Sequence, residues 1–175
     1  MQTLIKTIDK FSEILGRSAA WLTLAMVLVM GLIVLLRYVF QIGSIALQES
    51  IMYINALVFT CGVAYTLKHQ GHVRVDVFYN RFSQRTRMLV EILGTLLFLM
   101  LTCGFIIWAS WDYVAVSWRI REGSAESSGL PIVFLLKSSL IVLPTLLAIQ
   151  GVAELLKSFS SLLSDSKPSG AASSE

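Results

Sequence analysis

Four long apolar runs organise the chain. Windows free of Asp, Glu, Lys and Arg cover residues 18–36, 50–67 and 92–111, and a fourth run, 130–153, is broken only by Lys137. Each approaches the ~20 residues that carry a helix across a hydrocarbon core. The pattern predicts an all-α membrane protein of four transmembrane helices, at about 18–36, 50–67, 88–111 and 130–153, in a single domain over residues 1–157. Ahead of the first span, Leu4, Ile8, Phe11 and Leu15 share one helical side while Lys6, Lys10, Glu13 and Arg17 take much of the rest. That spacing favours a short amphipathic helix lying in the membrane interface over a soluble lead-in to the first helix, because its apolar side has no other surface to meet. Residues 38–49 stay apolar through Phe40, Ile42, Ile45 and Leu47, which predicts a second tilted or interfacial piece. Pro131 suits the first turn of the fourth span, and Pro144 predicts a kink inside it. The sequence SSLLSDSKPSGAASSE at the end predicts a disordered tail over 158–175.

Composition agrees with this pattern. Of the 175 residues 55% are hydrophobic and 14% charged, against about 25% charged in soluble domains. A disordered chain is excluded, and the composition argues against an ordinary soluble enzyme. The net charge of +3 does not point to nucleic acid, since the basic residues sit between apolar runs without interleaved aromatics. Lys and Arg number three before the first span, five between the second and third and two in the tail, against three on the other side, Arg37, Arg119 and Arg121. The excess predicts that both termini and the 68–87 loop are cytoplasmic. Trp108, Trp111, Tyr113 and Trp118 read as an aromatic belt at the opposite interface. Cys61 and Cys103, the two cysteines, fall inside spans, so no disulfide-bonded outer loop is expected. The first apolar run starts too late and runs too long for a cleavable signal.

Candidate chemistry is sparse. Glu49, Glu91 and Lys137 flank or interrupt the spans, where ion coupling or structural pairing are the two uses of a charge. Glu49 and Glu91 lie at span ends, within reach of water. Lys137, about a third of the way into its span, would snorkel to the outer interface or pair with a carboxylate such as Glu49. The two histidines, His69 and His72, sit in the loop after the second span, not within a helix as haem ligation requires. The segment LKHQGHVRVDVFYNRF, residues 67–82, alternates His72, Arg74 and Asp76 with valines. One polar and one apolar edge predicts a docked or interfacial segment, and its basic residues suit anionic headgroups. No Cys/His cluster has metal-ligand spacing, and no Gly-x-Ser-x-Gly motif occurs. No enzyme and no cofactor are expected.

Several of these features together resemble one family. Arg37-Tyr38-Val39-Phe40 closes the first span and Glu49 opens the second. GVAYTLKHQGHVRVDVFY, residues 62–79, is similar to the family's glycine–small–basic run leading into a Gly-His-x-x-Val-Asp-like signature, and the fourth span contains proline. Over about residues 10–157 the chain resembles the small membrane subunit of tripartite ATP-independent periplasmic (TRAP) transporters, the DctQ-like family. One stretch departs from it: Ala46-Leu47-Gln48-Glu49 has a single acid and no tryptophan where relatives often carry a tryptophan and paired acids.

The resemblance implies a scaffold subunit in a bacterial inner membrane. It would pack against a large multi-span subunit that binds the substrate and the coupling ion, usually sodium. It would help dock a periplasmic substrate-binding protein that captures an organic acid. On that reading Arg37, Glu49 and Lys137 form a structural polar set near the outer interface. His72, Arg74 and Asp76 set the cytoplasmic turn or touch lipid and the large subunit. Arg119, Arg121, Glu122 and Glu126 either meet the binding protein or are solvated surface charge. Two other classes stay open: a membrane anchor of a redox enzyme, and a small self-sufficient exchanger. Histidine placement argues against the first, and the lack of a mid-span carboxylate against the second. The substrate, whether sialic acid, a C4-dicarboxylate or another organic acid, is not encoded in this chain.

Overall fold

The structure, a computed structural model, describes residues 2–69, 86, 90 and 92–165. Those residues form four helices and no strand: α1 Gln2–Tyr38, α2 Ile45–Lys68, α3 Ile92–Ile120 and α4 Val133–Asp165. All four are long and apolar enough to cross a membrane. α4 is the hub, packing against α1, α2 and α3, while α1 also packs along α2. The helices run alternately up and down. Residues 9–16 meet 65–69 and 150–157 at one end, and Glu49 meets the 122–130 connection at the other.

The seams between helices are narrow. Buried positions include Ser12, Ala19, Thr60, Ala64, Cys103, Ser117, Gln150 and Ala153. Small side chains let helix backbones approach when both lipid and protein interior are apolar, so burying large side chains yields little. Gly16 shows the closest approach: a Cβ there would run into the Tyr65 ring and lie 2.9 Å from the Tyr65 Cβ. Near its start α3 carries a π-helical turn, Thr95–Met100. That turn sets Leu99 and Met100 against Gly151 of α4, where a Cβ would lie 2.6 Å from Leu99 Cδ2.

Three expectations change. Residues 2–17 are not a separate interfacial helix but the first half of α1, whose 37 residues reach about 55 Å. Nothing between 12 and 20 stops a helix, and the segment turns Ser12 inward while Leu4, Phe11 and Ile14 stay exposed. Its polar side finds partners on α2 and α4, which the expectation of a lone amphipathic helix did not supply. Residues 39–44 form a short connection, not a helix. Its turn is made by a left-handed residue, Gln41 (φ 56°), and the Ile42 N–H donates back to Leu36 O at 3.0 Å, satisfying one of the last carbonyls of α1. The fourth helix begins at Val133, just after Pro131, and continues through Pro144 to Asp165, so residues 158–165 are helical and not part of a disordered tail.

Candidate functional site

Polar side chains gather at the two ends of the helices. At the first end Lys68 Nζ lies 2.7 Å from Glu13 Oε2, joining α2 to α1. Lys157 Nζ lies 2.9 Å from Asp9 Oδ1 and 2.8 Å from Glu154 Oε1. Gln150, fully buried, accepts from Ser12 Oγ at 2.6 Å and donates to Asp9 Oδ1 at 3.1 Å. The network ties α1 to α4 where both leave the apolar zone. Sequence reasoning missed it. The available signal was Gln150, a lone amide inside an otherwise apolar run. Replacing Gln150 with Leu strands the buried Ser12 hydroxyl and is expected to cost about 1–3 kcal/mol, read as a lower melting temperature in detergent.

At the opposite end α3 finishes in a left-handed residue, Arg121 (φ 51°), which turns the chain back over α4. Glu122 then meets Lys137 Nζ with both carboxylate oxygens, at 2.7 and 2.6 Å. The ammonium also lies 4.0 Å from the Tyr113 ring centre. Trp118 donates from Nε1 to Ser138 Oγ at 2.7 Å and packs edge-on against Phe134. The Arg121 guanidinium sits 5.5 Å from the Phe134 ring centre and 5.9 Å from that of Trp118.

Beside this cluster, Glu49 of α2 clamps the same connection. Its carboxylate accepts from the Ser124 hydroxyl and, at 2.6 Å, from the Leu130 N–H. The Ser124 N–H donates to Leu130 O at 3.0 Å, closing the loop on itself. Gly129 leaves the space this requires, since a Cβ there would collide with the Ser124 side chain and lie 2.7 Å from Glu49 Oε1.

The expected outer polar set is therefore divided. Lys137 pairs with Glu122, not Glu49, because the turn at Arg121 delivers Glu122 to it while Glu49 is taken up by the loop. Arg37 is exposed at the end of α1, lining a shallow cleft with Ser44 and Gln48, and makes no ion pair among the described residues. Of the four residues considered for docking, Glu122 is committed to Lys137, whereas Arg119, Arg121 and Glu126 are exposed. His72, Arg74 and Asp76 lie outside the described residues, as does Glu91.

The hydrogen bond from Lys137 holds the Glu122 carboxyl below its ordinary value of 4.5. A carboxyl depressed in the folded state stabilises fully above the ordinary range and loses that contribution as pH falls through the lower native value. The expected result is a melting temperature that drops on acidification only below about pH 4.5. Glu122→Gln should remove that component of the pH dependence.

Among the described residues, no group of three His, Cys, Asp or Glu side chains is placed to hold a metal ion. The arrangement is that of a polytopic membrane protein with polar fastenings at both ends and apolar helix surfaces between them. The chain belongs to the DctQ family: the model described as tripartite ATP-independent periplasmic transporters, DctQ component, matches residues 8–161. Comparison with curated proteins and with solved structures returns no match.

Proposed function

We propose that this chain is the non-enzymatic scaffold subunit of a TRAP-type organic-acid uptake system in a bacterial inner membrane. It packs against the large subunit, which carries the substrate and sodium sites, and offers part of the outer surface on which the periplasmic binding protein docks. Both termini face the cytoplasm, as the distribution of Lys and Arg predicts. The observation that carries this reading is where the apolar surface points. In the most apolar window of each span only 6% to 17% of residues are buried within the chain. The polar groups sit in fastenings near the helix ends, which suits a subunit held among neighbours. The end of α3 and the outer connection 121–132, clamped by Glu49, present Arg119, Arg121 and Glu126 as the docking surface. His72, Arg74 and Asp76 are assigned to the cytoplasmic turn or to contact with lipid and the large subunit.

The test is capture of the tagged chain from its native membrane in mild detergent, with neighbouring genes intact. Equimolar recovery of a much larger multi-span protein is expected. Recovery of this chain alone as a stable homo-oligomer would overturn the reading.

A further inference from the structure

We propose that the outward stripe of α3 ending at Asp112 receives an arginine or lysine from a spanning helix of the large transporter subunit. The proposal rests on the scaffold reading and specifies where on this chain that partner sits. α3 turns Cys103, Val114 and Ser117 inward, and α4 is the helix it packs against. On another side Gly104, Trp108, Trp111 and Asp112 follow at helical spacing. Trp108 is 76% exposed and Trp111 59%. A Cβ on Gly104 would meet nothing within 4 Å. With Ile107 these residues line an open groove of about 390 Å³.

Charge identifies the occupant. Asp112 directly follows the charge-free window 92–111, at the outer edge of the apolar zone. It makes no hydrogen bond or ion pair with the described residues. The nearby cations are engaged elsewhere or out of reach. Lys137 is held by Glu122, and Arg121 stacks over Trp118 and Phe134. Arg119 lies two turns further along α3, about 10 Å by helical rise. On this face the carboxylate at the hydrocarbon edge finds no counter-charge within the described residues, so it is left for a partner to supply one. A helix that fills the gap over Gly104 and places a guanidinium or ammonium between two indoles satisfies the carboxylate and gains cation–π attraction. Tryptophan and arginine are the side chains that most often carry the binding energy of an interface.

The experiment compares capture of the large subunit by the wild-type chain and by Asp112→Lys, Asp112→Glu and Gly104→Trp, at matched membrane levels. Asp112→Lys and Gly104→Trp are expected to lower capture at least about tenfold, while Asp112→Glu retains it. A photo-crosslinking amino acid at position 108 of an otherwise unchanged chain is expected to join the large subunit, which decides the matter should a variant insert poorly. Capture unaffected by all three substitutions, with no crosslink from position 108, overturns the proposal and leaves the scaffold reading standing. Failure of the wild-type chain to capture the large subunit overturns both.

Discussion

Gly16→Leu is expected to be the most damaging single substitution, costing roughly 3 kcal/mol, the upper end of the usual range for volume forced into a packed seam. A Cβ at this position already collides with the Tyr65 ring and approaches the Tyr65 Cβ to 2.9 Å. The root of a side chain moves only with its backbone, so a ring rotation does not relieve the clash. The ring is also occupied, with its centre 4.1 Å from that of His69. α1 and α2 must separate, which strains the Glu13–Lys68 bridge one turn away. The melting temperature in detergent should fall by several degrees. Gly16→Ala combined with Tyr65→Ala should lose less than the two single changes summed, since the second removes the ring, though not the Cβ, that the first meets. Strict additivity would show that the two helices do not meet at this point.

Glu49→Leu is expected to release the outer connection while leaving the four helices in place. The carboxylate accepts from both Ser124 and Leu130, on opposite sides of one loop. Its loss leaves two donors without an acceptor. Amide exchange at Leu130 should speed up about tenfold to a hundredfold, the usual range for losing a hydrogen bond to a charged group. Glu49→Gln should be much milder. Its one acceptor oxygen still serves the Leu130 N–H, and the Ser124 hydroxyl can turn to accept from the new amide. Equal exchange rates in the Leu and Gln variants would show that the carboxylate does not hold the loop. If the loop serves the docking proposed for it, Glu49→Leu should also weaken capture of the binding protein more than assembly with the large subunit.

The spans were legible because charge is expensive inside hydrocarbon, so each charge-free window marks one helix. The way the helices meet was less legible. In water an amphipathic helix turns its apolar side inward. Here Ser12 faces the protein and Leu4, Phe11 and Ile14 face out. The same residues carry the opposite reading once the surroundings are apolar, and sequence spacing does not say which applies. The partner of Lys137 depended on the left-handed turn at Arg121, a conformation that a non-glycine residue does not advertise. Residues 158–165 looked like the start of a polar tail. Appended to an existing helix they need no new nucleus, so their serine-rich composition does not end it. Asp112 escaped notice because it falls just past the third window, where one charge looks like a boundary and not a contact.

On the proposed function, this chain supports transport without forming the path. Flux of labelled organic acid into proteoliposomes tests it most directly, with the binding protein and a sodium gradient supplied outside. Three preparations are compared: this chain alone, the large subunit alone, and both together. Substantial uptake is expected only with both membrane subunits, and none with this chain alone. Sodium-driven uptake by this chain alone would contradict it.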